Sequence, residues 1–414
     1  MHQQWPSPDR PFAIKAINQF GRALSALGIQ RPVIDEASVI AEACRQTGLD
    51  DCGSPDFRAG LQHLVASMNS EASLSQIGRV AAKASLVDAM AIRLQLVDYV
   101  KKHPAVLDEK IERPLFIVGL PRTGTTILHS TVAADPDNRA PLMWEMQRPF
   151  PPPTADREQH ESTIVELEKN AVQLDRLAPG FKAIHESHPR LPEECISLMT
   201  SAFFQEQFST VNRLPGYRQW YMNADARPAY QWHKLFLQYL QHHYGVKRWV
   251  LKSPLHIPFL STILEVYPDA CVVQTHRDPM KVLGSVCSLI CTLRSGFSDA
   301  IDPMQVGQEE PAFFAEVLRR GLEQRDAINR PERFYDFQFD DVINRPIDAI
   351  ADMYAHFGLE LGDNARTHMQ AFLDNRPRTK HGKHSYTLET FGLTEANQGA
   401  LFSDYSQRYV RSVM

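Results

Sequence analysis

The residue types best suited to chemistry lie in a short stretch with two glycines, one arginine and three threonines. Residues 119–126 read Gly-Leu-Pro-Arg-Thr-Gly-Thr-Thr and come directly after the apolar run at residues 115–118. Apolar residues then recur at helical spacing. The pattern predicts a buried strand, a tight turn and a helix. Backbone N–H groups in such a turn, together with a helix N-terminus, point at a bound anion, so residues 119–126 are a predicted phosphate loop.

A nucleoside triphosphate is a poor match for this phosphate loop. Gly119 and Gly124 have the spacing of the triphosphate-binding pattern G-x-x-x-x-G-K-[ST], but Thr125 stands where that pattern has lysine. The cation is Arg122 instead, and hydroxyl groups follow at Thr125 and Thr126. The loop therefore predicts an anion held by backbone N–H groups, one guanidinium and hydroxyls, rather than a magnesium triphosphate.

A second anion-binding pattern follows the apolar strand predicted at residues 270–275. Arg277 comes soon after this strand, and Ser285 lies eight residues later, about two turns into the next helix. Asp278 is predicted to cap that helix, with Pro279 at its first position. An arginine fork and a hydroxyl in this arrangement can bind one phosphate group.

The two patterns together resemble the sulfotransferases that use 3′-phosphoadenosine-5′-phosphosulfate (PAPS), in particular the large bacterial sulfotransferase-like proteins. In that family the first loop reads P-[KR]-[ST]-G-[ST]-[ST], and an arginine with a serine eight residues later binds the 3′-phosphate. The resemblance covers about residues 110–385 and implies a 3′-phosphate site at Arg277 and Ser285. It implies a phosphosulfate site at five consecutive residues: Arg122, Thr123, Gly124, Thr125 and Thr126.

The resemblance also implies roles close to the transferred sulfuryl group. Lys252 ends the strand predicted at residues 248–252, where members that act on protein tyrosine place a lysine against the leaving phosphate. Sulfuryl transfer, like phosphoryl transfer, passes through a loose transition state in which negative charge builds on the bridging oxygen. A fixed ammonium and guanidinium stabilise that charge, so Arg122 and Lys252 are predicted catalytic residues and no metal is expected.

The acceptor hydroxyl needs a general base, and the sequence leaves several candidates. Glu145 is the first, because it lies near the position where the protein-tyrosine members carry a catalytic glutamate. His188 is the second, because it suits the role that cytosolic members give to a histidine. His185, Glu193 and Glu194 are the remaining candidates.

A basic cluster at residues 376–384 is the densest of the chain. Family members fold a basic C-terminal loop over the 3′-phosphate. The resemblance therefore implies a cofactor contact from Lys383, with Arg378 and Lys380 as further candidates.

These residues need elements that position them, and the sequence predicts an α/β fold. Strands are predicted at residues 115–118, 248–252, 270–275 and 334–339, each followed by a helix, which indicates a parallel central sheet flanked by helices. Ligands in such sheets bind beyond the carboxyl ends of the strands. The phosphate loop, Lys252 and Arg277 all follow strand ends, so one cleft can gather all three.

The rest of the chain is predicted to be mostly helical. Residues 1–110 form a helical N-terminal region packed on the main domain, and residues 111–414 form the sulfotransferase domain, with a helical insertion on the acceptor side at about 142–245. Within the insertion one helix is predicted from Glu193 to Phe208. The aromatic residues at 217–232 suit a hydrophobic core, the favoured interpretation, or an apolar acceptor pocket.

Composition excludes several classes of protein. A net charge of −5 argues against a general nucleic-acid binder. No apolar run reaches membrane-spanning length and the N-terminus lacks a signal-peptide pattern, so a cytoplasmic protein without a transmembrane segment is expected. The six cysteines include no C-x-x-C pair, which predicts reduced, buried thiols rather than a zinc site.

The sequence thus predicts in-line transfer of the sulfuryl group of PAPS to a hydroxyl group of a small-molecule or lipid-like acceptor. The identity of the acceptor and the oligomeric state, including a homo-oligomer, stay open. A nucleotide kinase or NTPase is one alternative, which magnesium dependence would favour. A non-catalytic nucleotide-binding protein is the other, which tight binding of 3′,5′-phosphoadenosine without any transfer would favour.

Overall fold

Five parallel strands form the sheet that carries the phosphate loop in the part of the chain that the structure describes. The computed structural model describes residues 5, 12–27, 33–154, 156, 158–177, 188–375 and 387–410. The strands are β1 (Leu115–Val118), β2 (Asn138–Arg139), β3 (Arg248–Lys252), β4 (Cys271–His276) and β5 (Phe334–Gln338). Their order across the sheet is β2-β3-β1-β4-β5. The predicted parallel α/β sheet is therefore confirmed.

Helices cover both faces of this sheet and build the N-terminal region. Within the described ranges they are α1 (Phe12–Ala26), α2 (Glu36–Thr47), α3 (Phe57–Ser70), α4 (Gln76–Lys102), α5 (Thr125–Ala133), α6 (Met143–Gln147), α7 (Glu161–Leu177), α8 (Ile196–Met199), α9 (Gln207–Val211), α10 (Pro215–Asn223), α11 (Arg227–His243), α12 (Leu260–Val266), α13 (Met280–Ser295), α14 (Pro303–Ile328), α15 (Phe339–Asn344), α16 (Pro346–His356), α17 (Asp363–Asn375), α18 (Glu395–Gln398) and α19 (Ser403–Tyr409). Short 3-10 segments lie at Pro104–Asp108, Glu158–His160, Thr200–Ala202, Pro254–Phe259, Pro331–Arg333, Glu389–Phe391 and Gly399–Phe402.

The central strands are buried because helices cover both faces of the sheet. Every residue of β1 and of β4 is buried. Phe116 belongs to one hydrophobic core that also contains Leu61 and Leu94 of the N-terminal helices. Ile117, on the opposite face, packs in a second core with Ile350 of α16. The N-terminal helices therefore share a continuous core with one face of the sheet.

The register of the sheet brings three strand ends to one edge. Ile117 of β1 pairs with Lys252 of β3 and with Val273 of β4. The segments that follow these strands are the phosphate loop, the 3-10 segment Pro254–Phe259 and the turn that carries Arg277. They lie side by side because parallel strands end at the same edge.

The prediction of one continuous helix from Glu193 to Phe208 is wrong. The segment is broken into α8, a 3-10 turn and α9, and Phe203 lies between them with a φ of 54°. The Tyr217 hydroxyl donates to the Phe203 carbonyl at 2.9 Å and accepts from the Gln205 N–H at 3.1 Å. The buried Tyr217 hydroxyl thus takes the place of helical hydrogen bonds at the break. The local sequence of residues 193–208 could not reveal this, because Tyr217 lies outside that segment.

The aromatic residues at 217–232 form core, as the favoured interpretation predicted. Tyr217, Tyr221 and Tyr230 are all buried, and Tyr217 and Tyr221 pack against Phe208 or Phe259. No helix in the described ranges combines the length and the apolar character needed to cross a membrane.

Candidate active site

A cavity of about 520 Å³ opens at the edge of the sheet where β1, β3 and β4 end. One side is polar and consists of the phosphate loop, Glu193, Glu194, Ser253 and Arg277. The opposite side is mostly apolar and is built by α13 and α14. We call it the loop cavity.

The phosphate loop has a backbone that only certain residues adopt readily. Gly119 and Gly124 have φ values of 144° and 91°, and Arg122 has a φ of 70°. A Cβ atom at Gly119 would lie 2.2 Å from the Thr275 hydroxyl oxygen, so a larger residue does not fit there. The helix α5 begins at Thr125, and the first N–H groups of a helix have no partner within it. The loop therefore aims backbone donors at the cavity.

The Thr123 side chain lies behind the loop rather than in the cavity. It is fully buried, its hydroxyl donates to the Leu120 carbonyl at 2.6 Å, and it lies 2.6 Å from the hydroxyl oxygen of Thr275. The side chain thus fixes the loop to β4. Thr125 and Thr126 both line the loop cavity, as does Gly124.

Arg277 connects the two anion-binding patterns. Its Nη1 donates to the Arg122 carbonyl at 2.9 Å, and its guanidinium lies over the Phe339 ring at 3.9 Å from the centroid. Both arginine side chains line the loop cavity. Ser285 is half-buried on α13 and is not part of the lining that the described residues form, although the next residue, Val286, is.

Lys252 is 2% exposed and is not part of the cavity lining that the described residues form, although the next residue, Ser253, is. Its ammonium forms an ion pair with the carboxylate of Glu194, which lines the cavity. The Cys195 N–H donates to the Lys252 carbonyl at 2.9 Å, so the segment that carries Glu194 is attached to the end of β3. The pair places a buried ammonium against a carboxylate of the cavity lining.

His129 of α5 lies behind the same strand end. Burial, together with the positive charge of Lys252, lowers the pKa of this imidazole to about 3. Its Nε2 lies 3.2 Å from the Val250 carbonyl oxygen, to which it can donate. A neutral histidine therefore adds no positive charge beside Lys252 at neutral pH.

The structure does not support Glu145 as the general base. Its carboxylate is fully buried, accepts from Arg139 at 2.8 Å and from the Leu142 N–H at 2.9 Å, and also binds the Tyr244 hydroxyl. These contacts cap α6. Glu145 is absent from the lining of the loop cavity that the described residues form.

His188 is likewise absent from the cavity lining that the described residues form. Its side chain is 48% exposed and lies 3.5 Å from Glu168. Glu193 and Glu194, which were lower-ranked candidates for the base in the sequence analysis, both line the cavity. The link between Lys252 and Glu194 spans 58 positions, so no local spacing could have revealed it. His185, Arg378, Lys380 and Lys383 lie outside the described residues.

The apolar side of the cavity contains one buried polar group, Glu206. Its carboxylate binds Arg218 at 2.5 Å, Arg218 binds Glu310 at 3.1 Å, and Glu310 binds Arg294 at 2.8 Å. Burial raises the pKa of Glu206, and the charge of Arg218 opposes the shift. Gln207 and Thr210 of α9 line the cavity beside Glu206, whereas the lining residues of α13 and α14 are hydrocarbon: Val286, Leu289, Ile290, Leu293 and Phe314.

Comparison with known proteins identifies the family to which this architecture and loop belong. The model of the sulfotransferase family matches residues 114–363, which include the phosphate loop, Lys252 and Arg277. The chain belongs to the sulfotransferase family. It is an enzyme with sulfotransferase activity, as the sequence predicted.

Two solved sulfotransferases share the fold. Sulfotransferase STF1 from Mycobacterium tuberculosis is 32% identical with a TM-score of 0.81, over 91% of this chain and 100% of that chain. Sulfotransferase STF9 from Mycobacterium avium is 26% identical with a TM-score of 0.82, over 92% of this chain and 98% of that chain. Since each match covers more than nine-tenths of this chain, both include most of the N-terminal helices as well as the α/β sheet.

A further relative is known by its substrate. The omega-hydroxy-beta-dihydromenaquinone-9 sulfotransferase Stf3 of Mycobacterium bovis is 25% identical over 310 residues, which are 70% of this chain and 74% of the relative. This sulfotransferase and that relative are therefore similar over most of their lengths.

Proposed function

We propose that this sulfotransferase moves the sulfuryl group of PAPS in line to a hydroxyl group of an apolar, lipid-like alcohol. The observation that carries the proposal is the loop cavity, which is lined by the phosphate loop, by Arg277 and by Glu194, the ion-pair partner of Lys252, together with hydrocarbon side chains of α13 and α14. Donor and acceptor can then approach the same point from two sides.

The donor is proposed to bind along the polar side of the cavity. Backbone N–H groups of the loop and the first turn of α5 take the 5′-phosphosulfate, together with Arg122 and the hydroxyls of Thr125 and Thr126. Thr123 contributes its backbone, because its hydroxyl is engaged behind the loop. Arg277 and Ser285 take the 3′-phosphate, and Lys383 is a further proposed contact.

The transfer requires charge stabilisation and a base. The bond from sulfur to the bridging oxygen breaks as the bond from sulfur to the acceptor oxygen forms, which yields a sulfate ester and 3′,5′-phosphoadenosine. Lys252 and Arg122 stabilise the charge that builds on the bridging oxygen. The Glu194 carboxylate, which lines the cavity, takes the proton from the hydroxyl group of the acceptor alcohol. Glu145 has no part in this scheme.

The acceptor class is proposed from the apolar wall and from the relative. The side chains of α13 and α14 that face the cavity are hydrocarbon, and such walls bind apolar groups by excluding water. The Stf3 relative is named for an omega-hydroxy menaquinone derivative. Both observations favour an alcohol on a long apolar group over a sugar.

Ligand-dependent thermal stability tests the donor. We expect 3′,5′-phosphoadenosine to raise the melting temperature of the native chain, since a ligand of the folded state stabilises it by mass action. The rise should be lost in Arg277→Ala and kept in Arg345→Ala, a surface arginine paired with Asp341 and Asp352. If magnesium ATP raises the melting temperature and 3′,5′-phosphoadenosine does not, the proposal is contradicted and a kinase or NTPase is favoured.

Transfer of labelled sulfuryl from PAPS tests the acceptor. We expect product with long-chain and prenyl alcohols and much less with monosaccharides. Binding of 3′,5′-phosphoadenosine without transfer to any alcohol would instead favour a non-catalytic nucleotide-binding protein. Efficient transfer to sugars alone would contradict the apolar acceptor but not the donor.

A further inference from the structure

Three buried side chains that the transfer does not use converge directly behind the wall of the loop cavity. They are Cys195, His233 and His256, whose ligand atoms all lie within 4.8 Å of one another. Each residue is at most 1% exposed. Cys195 follows Glu194 in the chain, His233 lies on α11, and His256 lies in the 3-10 segment Pro254–Phe259. We call them the Cys-His-His cluster.

The two imidazoles each present an unsatisfied nitrogen. Neither Nε2 has a hydrogen-bond partner among the described residues, although both atoms are buried. The other nitrogen of each ring is engaged: Nδ1 of His233 lies 2.7 Å from the Tyr267 hydroxyl, and Nδ1 of His256 lies 2.7 Å from the Tyr230 hydroxyl. When each Nδ1–H donates to its tyrosine oxygen, both Nε2 atoms are acceptors with free lone pairs.

Unsatisfied polar atoms in such an interior need an explanation. A buried nitrogen without a hydrogen-bond partner destabilises the folded state, and here two of them occur beside a thiol. The Phe116 ring packs against His256 in a T-shaped arrangement, with the ring centroids 5.2 Å apart. Two imidazole nitrogens and one sulfur form the donor set that zinc prefers, whereas magnesium and calcium prefer oxygen.

We propose that the Cys-His-His cluster binds one zinc ion. Ligand atoms around tetrahedral zinc are about 3.3–3.6 Å apart, from zinc–nitrogen distances of about 2.0–2.1 Å and a zinc–sulfur distance of about 2.3 Å. The cluster therefore needs to contract by about an ångström. Binding forms one zinc–sulfur and two zinc–nitrogen bonds, and the thiol proton leaves to solvent. A water molecule completes the tetrahedron.

The proposed ion would hold three elements together at the reactive end of the sheet. Cys195 is attached to Lys252 through its N–H and adjoins Glu194, so zinc would fix the position of the Lys252–Glu194 pair without touching substrate. Its ligands would be positioning residues. This link to catalysis rests on the proposed function, but the binding of zinc does not.

Cobalt substitution tests the site without reference to activity. The full chain is treated with a chelator and then titrated with Co²⁺, which gives a sulfur-to-metal charge-transfer band when a thiolate binds it. We expect this band at one cobalt per chain, its loss when zinc is added, and a higher melting temperature with zinc than with the chelator.

A matched pair of variants identifies the thiolate. The band should disappear in Cys195→Ala and persist in Cys287→Ala, another fully buried cysteine that lies on α13. Circular dichroism establishes that each variant folds. If Cys195→Ala does not fold, the native chain decides alone: a folded native chain that gives no band and no stabilisation by zinc overturns the proposal. A band that persists in folded Cys195→Ala overturns it as well.

Discussion

Among single residues, Glu194 is the one whose substitution separates proton transfer from donor binding. Glu194→Gln keeps the size and the polarity of the side chain but removes its basicity. We expect kcat to fall by about 10²–10⁴-fold, the usual contribution of a general base. The stabilisation by 3′,5′-phosphoadenosine should be retained. Steady-state kinetics with PAPS and a long-chain alcohol measure the effect.

Two comparison variants sharpen this test. Glu265→Gln changes a half-exposed carboxylate that pairs with Arg227 and should leave kcat within a few-fold of the native value. Glu145→Gln should lower the free energy of unfolding, because that carboxylate caps α6, and should leave kcat of the folded enzyme within a few-fold of the native value. A folded Glu145→Gln enzyme without activity, beside an active Glu194→Gln enzyme, would reverse the assignment of the base.

The hydroxyl of Thr123 provides a second residue-scale prediction. Thr123→Val keeps the shape of the side chain but leaves the Leu120 carbonyl and the Thr275 hydroxyl without this partner. We expect a loss of about 1–3 kcal/mol in the free energy of unfolding and weaker donor binding. Thr123→Ser restores the hydroxyl and should recover most of both. Equal stability of the valine and serine variants in urea denaturation would contradict this role.

The sequence could locate residues that line the cavity at this scale, but it could not separate the candidate bases. Arg122, Gly124 and Arg277 were singled out by local spacing beside strand ends, and all three line the cavity. Whether a glutamate faces substrate or caps a helix depends on its partners elsewhere in the fold. Glu145 meets Tyr244, and Glu194 meets Lys252, and neither partner is close in sequence.

At the scale of elements, the buried chain of charges Glu206, Arg218, Glu310 and Arg294 connects α9 and α10 to α13 and α14. Glu310 lies between the two arginines and is fully buried. Glu310→Gln removes the carboxylate that pairs with Arg294 and one of the two that pair with Arg218, so we expect a loss of about 3–5 kcal/mol in the free energy of unfolding. Urea denaturation measures it.

The neighbouring residue supplies the control. Glu309 pairs with Arg213 on the surface, with 28% of its side chain exposed. Glu309→Gln should cost about 1 kcal/mol or less, because surface ion pairs contribute little. Comparable losses for the two substitutions would show that burial does not govern the strength of this network.

The elements themselves were predicted where burial alone determines the pattern. Strands β1 and β3 match the predicted ranges, since strands covered on both faces read as apolar runs. The two-residue strand β2 was missed, because Asn138 and Arg139 carry no strand pattern and pair only through β3. The break at Phe203 was missed because the hydroxyl that causes it belongs to α10.

At the scale of the whole molecule, buried histidines make stability depend on pH. The His129 imidazole titrates near its ordinary pKa of about 6.5 in the unfolded chain, whereas in the folded chain burial lowers its pKa to about 3. As the pH falls, this imidazole therefore binds a proton in the unfolded chain before it does so in the folded chain. Stability falls as the pH drops from about 6.5 towards 3, by up to about 1.4 kcal/mol per pH unit from this group.

The variant His129→Gln isolates this contribution. Glutamine can still donate to the Val250 carbonyl but does not titrate, so the free energy of unfolding should fall less steeply between about pH 6 and pH 4 than in the native chain. Other acidic and basic groups contribute equally to both proteins. Parallel pH profiles for the two proteins would contradict a neutral, buried His129.

The strand order also governs how the chain acquires its fold. Leu115 of the central strand pairs with Val250 and Cys271, which are synthesised much later. The helices α1–α4 can form contacts among themselves on the ribosome, whereas β1 must wait, apolar and unpaired, until more than half of the chain has emerged. Pairing between distant segments slows folding and leaves time for association with other chains. Expression at low temperature, which weakens hydrophobic association, and chaperone assistance should therefore increase the yield of native enzyme.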